Sequence, residues 1–122
     1  MAMTFEIRKE FQILLNEIRE EKGISLSKIE FVNEKGGKYS RSYVSLVCNN
    51  KRGMSMGTAL QYLEILGVTL MVDSKGIHIC DEEFNEHTYI NMPTKVFMDD
   101  YIQIDMAINS LPTTYTKKKK KK

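Results

Sequence analysis

The first apolar pattern of the chain lies within residues 4–22 and has the spacing of a helix. Apolar side chains recur there every three or four residues, at Ile7, Phe11, Leu14, Leu15 and Ile18. This spacing places them on one stripe of an α-helix, with charged residues on the other side. Thr4 is suited to cap the start, Glu6 to lie in the first turn and Gly23 to end the helix. We therefore predict helix one over residues 4–22.

A second helix is predicted to begin at Ser27. Ser27 and Glu30 have the S-x-x-E spacing of a capping box, in which each side chain bonds a free backbone N–H of the first turn. Leu26 and Phe31 are placed to pack against each other across this start as a hydrophobic staple. The helix would end before Gly36, so it has about two turns and depends on its neighbours for stability.

The third predicted helix covers residues 41–49, follows the capping residue Ser40 and has two unlike faces. Its inward positions are Val44, Val47 and Cys48. Its outward positions are Ser42, Ser45, Leu46 and Asn49, with Arg41 beside them. A helix face that meets only water more often carries charged residues, whereas short uncharged side chains allow close approach to base edges. The pattern favours a helix that contacts nucleic acid.

A basic loop leads from this helix to a fourth one, for which Ser55 is the predicted cap. The core stripe of the fourth helix consists of Ala59, Leu60, Leu63 and Leu66. Gly67 can end it. Four short helices joined by tight turns predict a compact all-α bundle.

After Gly67 the period changes from that of helices to that of strands. VTLMV and IHIC flank the turn sequence DSKG, so residues 68–80 are predicted to form a β-hairpin. Thr94 is suited to cap a further helix that runs to Ser110, with a strand in FMDDYIQIDMAI as the alternative. The apolar positions of that helix are Val96, Phe97, Tyr101, Ile104, Met106 and Ile108.

Charge is segregated along the 122 residues, although the net charge is only +2. Residues 1–21 carry −2 and residues 22–56 carry +5. Residues 57–116 carry −7, and the final six lysines carry +6. A surface that binds a polyanion, together with a separate acidic surface, explains these zones; an unevenly charged solvated surface is the alternative.

Composition argues against several classes of protein. No run of about 18 apolar residues is present, so no membrane span is predicted. The N-terminus lacks the pattern of a secretory signal, and the two cysteines fit no disulfide framework, so we expect a cytoplasmic protein. The potential metal ligands that lie near one another are His78, Cys80, Asp81 and His87. They lack the spacing of paired metal-binding motifs, so we predict no metal, no cofactor and no catalysis.

Three segments together resemble the lambda-repressor-like helix-turn-helix family, also called XRE. They are SKIEFVNEKG, YSRSYVSLVCNNKR and SMGTALQYLEILGV, and with helix one the resemblance covers residues 4–68. The chain departs from the family where Gly37 and Lys38 look inserted between helices two and three. It departs again where Leu46 and Cys48 replace residues that are usually polar.

The resemblance and the patterns together imply a mainly α fold. Residues 1–68 are expected to form a compact four-to-five-helix lambda-repressor-like bundle that binds DNA. Residues 69–112 are expected to form an appended α+β element, a hairpin plus a helix, for dimerisation or partner binding. Residues 113–122 are expected to be a disordered lysine-rich tail. That tail could be an arm that binds DNA non-specifically, a solubilising end or an engineered tag.

By the same resemblance, helix three lies in the major groove of double-stranded DNA. The implied base-reading residues are Arg41, Ser42, Ser45, Leu46 and Asn49. The implied contacts to the DNA backbone are Ser27, Lys28, Lys38, Tyr43, Lys51 and Arg52. Ser27 and Lys28 take this role because the N-terminus of helix two favours an anion.

The implied function is that of a sequence-specific transcription regulator, a repressor that binds paired half-sites as a homodimer. An antitoxin-type interaction protein, whose acidic second half neutralises a basic partner such as a toxin, is the alternative. Both functions can coexist in one chain. A third possibility is an adaptor that kept the bundle and lost DNA binding, for which the insertion and Leu46 are the reasons.

Overall fold

The computed structural model describes residues 6–33, 35–73, 76–80 and 98–116, which form an α+β arrangement. The chain divides into two compact units, Met1–Leu66 and Gly67–Lys122. The first unit holds α1 (Lys9–Lys22), a 3₁₀ turn (Leu26–Lys28), α2 (Arg41–Cys48) and α3 (Met56–Leu66). The second holds β1 (Thr69–Asp73), β2 (Gly76–Cys80), α4 (Met98–Ser110) and β3 (Thr113–Thr116). None of the helices described is both long and apolar enough to cross a bilayer.

Helix one is confirmed as α1, but it begins at Lys9 rather than at residue 4. The residues just before it are extended because they pair with another segment: Ile7 N donates to Met54 O at 3.0 Å. Glu6 lies in a β-bridge, so its predicted place in the first turn is wrong. Thr4, the predicted cap, lies outside the described residues.

The apolar stripe of α1 forms part of the core of the first unit, as predicted. Its buried residues are Phe11, Leu15 and Ile18, and Leu14 is half-buried; Ile7, in the extended residues before α1, is buried as well. Gly23 ends α1 with a φ of 70°, a conformation that glycine adopts without steric cost. Ile24 N and Gly23 N donate to the carbonyls of Arg19 and Glu20, which completes a Schellman motif.

The prediction of helix two is wrong. Only Leu26–Lys28 forms a 3₁₀ turn, and the chain after it is extended. Burial then alternates with the period of a strand, because Ile29 and Phe31 are fully buried while Glu30 and Val32 are exposed. The capping box and the hydrophobic staple are therefore absent.

Contacts with α3 and with the following residues explain this extended conformation. The Gln61 side chain accepts from Val32 N at 2.8 Å and donates to Val32 O at 2.9 Å, which satisfies the backbone of Val32 as a strand neighbour would. Val32 also bridges to Lys38, and Tyr39 N donates to Phe31 O at 2.9 Å. Residues 31–33 and 37–39 thus pair as the two arms of a small hairpin, where the end of helix two and the turn after it were expected.

The third and fourth predicted helices are confirmed as α2 and α3. Ser40 Oγ accepts from Tyr43 N at 3.2 Å, and Ser55 Oγ accepts from Thr58 N at 3.2 Å. These bonds are the predicted N-caps. The buried residues of the two helices include all the predicted inward positions, Val44, Val47, Cys48, Ala59, Leu60, Leu63 and Leu66. Gly67 follows α3 with a φ of 75°.

The predicted hairpin of the second unit is confirmed. β1 and β2 pair antiparallel, with a register that runs from Thr69 opposite Cys80 to Asp73 opposite Gly76. α4 confirms the predicted helix to Ser110, while its predicted cap, Thr94, and the apolar positions 96 and 97 lie outside the described residues. The fully or nearly buried apolar residues include Leu70, Ile77, Ile79, Ile104, Ala107 and Ile108.

The third strand was not predicted. β3 pairs parallel with β2, with Ile77 opposite Thr113, so the expected start of the disordered tail at residue 113 is wrong. Lys117–Lys122 lie outside the described residues. Ile77 N also donates to Pro112 O at 2.8 Å. A Cβ at Gly76 would lie 2.4 Å from that same oxygen, so the close approach requires glycine.

Candidate nucleic-acid interface

The outward face of α2 has the composition that the sequence predicted. Ser42, Leu46 and Asn49 are exposed and Ser45 is half-buried. Asn49 is turned back along the helix, because its Nδ2 donates to Ser45 O at 2.9 Å and lies 3.3 Å from Ser45 Oγ. The face therefore offers hydroxyls, an amide and one aliphatic side chain, and it carries no formal charge of its own.

Arg41 has a structural role within the first unit. Its Nη1 donates to Ile29 O at 2.7 Å, and its Nη2 donates to Leu26 O. These bonds tie the first turn of α2 to the 3₁₀ turn and to the extended segment that replaces helix two. Since guanidinium has five N–H donors, three remain for other partners.

Replacing Arg41 by alanine should lower the free energy of unfolding by about 1–2 kcal/mol, because two carbonyls lose a charged donor at a partly exposed site. A urea titration followed by far-UV circular dichroism measures this change. Lys28→Ala is the matched control: it removes an exposed cation from the neighbouring 3₁₀ turn and should change stability by less than about 0.5 kcal/mol. Equal stability of the two variants would mean that the Arg41 bonds contribute nothing.

The loop after α2 has a fixed backbone. Lys51 N donates to Leu46 O at 2.8 Å and Asn50 N donates to Val47 O at 3.4 Å, which is the Schellman pattern. Asn50 occupies the left-handed position, with a φ of 62°. The loop thus reverses direction at Asn50 and carries Lys51 and Arg52, both exposed, beside α2.

Two buried amide side chains of α1 donate hydrogen bonds to the end of α2 and to this loop. Gln12 Nε2 donates to Val47 O at 2.9 Å and to Arg52 O at 2.7 Å. Asn16 Nδ2 donates to Val47 O at 3.1 Å and to Asn50 Oδ1 at 2.7 Å. Sequence reasoning missed both residues; the available signal was a pair of uncharged amides four residues apart beside the apolar stripe of α1.

The network continues to the core through Tyr62. Its hydroxyl donates to Asn16 Oδ1 at 2.6 Å, and its ring packs edge-to-face against Phe31 at a centroid distance of 5.5 Å. Burial raises the pKa of Tyr62, and it also raises the pKa of the neighbouring Cys48 thiol. Both shifts favour the neutral forms, and the Cys48 side chain packs in the core, where it is 1% exposed.

An aromatic stack lies on the flank of α2. The rings of Tyr39 and Tyr43 are 3.9 Å apart between centroids and 19° from parallel. The Arg52 guanidinium carbon lies 5.2 Å from the Tyr43 centroid, within the range of a cation–π contact. A surface cavity of about 440 Å³ adjoins the stack, and Glu6 and Gly53 also line it.

Two of the predicted contacts to the DNA backbone, Ser27 and Lys28, do not lie at the N-terminus of an α-helix. Ser27 and Lys28 are exposed in the 3₁₀ turn, and Ser27 Oγ lies 2.9 Å from Ser25 Oγ. The expectation that the N-terminus of helix two favours an anion at this point is therefore wrong. Lys38 lies in the hairpin, where its Nζ is 3.4 Å from Glu30 Oε2.

The four potential metal ligands are only partly described. His78 and Cys80 lie in β2, and His78 Nδ1 is 2.9 Å from Thr114 Oγ1. Asp81 and His87 lie outside the described residues. Across residues 6–33, 35–73, 76–80 and 98–116, no three His, Cys, Asp or Glu side chains come together as a metal site.

Comparison of the chain with protein families, with curated proteins and with solved structures finds no match.

Proposed function

We propose that this chain is a sequence-specific DNA-binding regulator of transcription, a repressor that binds paired half-sites as a homodimer and places α2 in the major groove. The observation that supports it most strongly is the outward face of α2 together with the loop that follows. An exposed helix face of short uncharged side chains is joined to a loop that presents two cations, and three hydrogen bonds, at Asn50 N, Lys51 N and Arg52 O, hold the backbone of that loop.

This arrangement separates the two tasks of a DNA-binding surface. Ser42, Ser45, Leu46 and Asn49 are suited to meet base edges, where serine and asparagine form hydrogen bonds and leucine can contact a thymine methyl group. Lys51 and Arg52 are suited to neutralise phosphates, which supplies affinity without sequence information. Arg41 can add a base contact through the donors that its backbone bonds leave open.

The proposal keeps the resemblance to the lambda-repressor-like family in α1, α2 and α3 and departs from it between α1 and α2. In the family a second helix precedes the reading helix. Here the 3₁₀ turn, the extended segment and its hairpin take that place, and Arg41 links Leu26 and Ile29 of this region to α2. The angle at which α2 meets DNA is therefore expected to be set by this region.

Selection of bound sequences from a random duplex pool at physiological salt tests the proposal. A motif with two half-sites about one helical turn apart is the expected result. Salt-sensitive binding with no enriched motif would contradict sequence-specific reading, and no binding at all would contradict the proposed function as a whole.

Ser42→Glu should abolish specific binding while it preserves the fold. The new carboxylate would face the DNA, so affinity should fall at least about tenfold, since like charges brought together at an interface cost several kcal/mol. At the second position of α2 an acid interacts favourably with the helix dipole, so stability should stay equal or rise by about 0.5 kcal/mol.

The measurements for Ser42→Glu are fluorescence anisotropy with the selected duplex and a urea titration. Gln103→Glu adds the same charge at an exposed position of α4 that the proposal does not place on DNA. Salt screens a charge that makes no contact with the duplex, so affinity should stay within about twofold. Equal losses in both variants would mean that net charge, rather than contact with α2, determines the effect.

A partner-binding function of the second unit is the second candidate, and a feature of α4 favours it. Ile102 is 41% exposed and Met106 is 61% exposed, one turn apart on the same side of the helix. Residues 57–116 are strongly acidic, so a basic protein such as a toxin is the expected partner. Co-expression with such a partner should slow hydrogen exchange in α4; unchanged exchange would exclude this surface.

A further inference from the structure

The backbone and the side chain of Arg52 are held by different parts of the first unit. Its carbonyl accepts from Gln12 Nε2 at 2.7 Å, so a buried amide of α1 holds the backbone of Arg52 in place. Its guanidinium lies over Tyr43, 5.2 Å from the ring centroid, and Tyr43 is in turn stacked on Tyr39. Contacts within the first unit therefore hold both the backbone and the guanidinium of this exposed arginine.

Such support matters for a phosphate contact because a free arginine side chain loses rotamer freedom when it binds, which lowers its affinity. A guanidinium that meets a ring through its face keeps its in-plane N–H donors, and two of these match the geometry of a phosphate. The ring contact and the phosphate contact can therefore exist at the same time.

We propose that Tyr39, Tyr43 and Gln12 are positioning residues that preform Arg52 as a clamp for one phosphate of the DNA backbone along this flank of α2. The inference rests on the proposed function and deepens it. The family resemblance already implies that Arg52 contacts the DNA backbone; the inference adds the three residues that hold its backbone and its guanidinium in place. Lys51 lies next to Arg52 and shows no ring contact among the described residues, so it serves as the comparison.

A double-mutant cycle on a random-sequence duplex tests the clamp. Arg52→Ala should reduce the slope of log affinity against log salt by about 0.9, the value for one phosphate. Tyr43→Leu should weaken binding about two- to fivefold through loss of the cation–π contact, and Tyr43→Phe should stay within about twofold of the unaltered protein. In the Arg52→Ala background, Tyr43→Leu should have no further effect.

Lys51→Ala provides the matched control for the cycle. It should also reduce the salt slope, but Tyr43→Leu should still weaken binding fully in the Lys51→Ala background, because the ring does not position Lys51. Circular dichroism of each variant verifies that the helices remain, and Tyr43→Phe, which keeps the ring and removes the hydroxyl, separates the contribution of the ring from that of the hydroxyl.

The outcomes separate this inference from the proposed function. Coupling of Tyr43 to Arg52 but not to Lys51 supports the clamp. Additive losses of affinity in both cycles, together with a selected motif, would contradict the clamp and would leave the proposed regulatory function unaffected. Absence of DNA binding in the unaltered protein overturns both.

Discussion

Replacing Asn16 by alanine should lower the free energy of unfolding by about 3 kcal/mol, since each buried polar group left without a partner costs about 1–3 kcal/mol. Asn16 is only 3% exposed and bonds three partners. Without it, the Tyr62 hydroxyl and the Asn50 side chain lose a partner, while Val47 O retains Gln12. This is one of the two largest effects that we expect from a single substitution.

Thermal and urea denaturation followed by circular dichroism measure the Asn16→Ala effect. The melting temperature should fall by more than about 10 °C for a domain of this size. Glu17→Ala is the control, because Glu17 is exposed at the next position of α1 and its loss should cost less than about 0.5 kcal/mol. A loss below about 1 kcal/mol in Asn16→Ala would mean that water replaces the amide, and the network would not be a rigid support.

Phe31→Ala is expected to cost about 3–5 kcal/mol, the range for deletion of a fully buried phenylalanine. Phe31 has no exposed surface and packs edge-to-face on Tyr62. The substitution would open a cavity between the extended segment and α3. It also tests the conformation of that segment, because a strand buries alternate residues.

The neighbour Val32 supplies the control for that test. It is 41% exposed, so Val32→Ala should cost less than about 1 kcal/mol, whereas Ile29→Ala should resemble Phe31→Ala. Urea titrations of the three variants reveal the pattern. Large losses at Val32 together with small ones at Ile29 would contradict the extended conformation of residues 29–32.

The sequence predicted those elements whose signals were local and agreed with one another. α2 and α3 each combine an N-capping serine with a stripe of apolar residues at helical spacing, and both lie where these signals place them. The β1–β2 hairpin was predicted for the same reason, since alternation and a turn sequence coincide. Burial of the apolar stripe of α1 followed from its period alone.

The prediction of helix two was wrong because the same residues carry both a capping pattern and a strand pattern. Ser27 and Glu30 have capping-box spacing, but the alternation from Ile29 to Val32 and the Gly36-Gly37 pair fit a hairpin. The deciding contact is the Gln61 amide, which lies 29 residues away from Val32 in the sequence. Tertiary contacts of this kind override local propensity and are not visible in a short window.

The exposed residues of the candidate site could be predicted from the sequence, but the hydrogen bonds that hold its backbone could not. The outward face of α2 followed from helical period, whereas the hydrogen bonds of Gln12, Asn16 and Arg41 depend on distances between elements. Arg41 illustrates the difference: its position on α2 was predicted, while its bonds to two backbone carbonyls were not. Whether it also contacts a base stays a prediction.

The parallel pairing of β3 with β2 has a consequence for how the chain folds as it is made. β1 and β2 can close as soon as residue 80 has left the ribosome, because their pairing is local in sequence. β3 follows α4, so this strand cannot pair with β2 until residues 113–116 have been synthesised. Until then the edge of β2 that β3 will cover offers unpaired backbone groups beside Ile77 and Ile79, and an intermediate of that kind is prone to aggregate. Pairing of β3 is therefore expected to be the step that completes this sheet during biosynthesis, after the β1–β2 hairpin and α4 have formed.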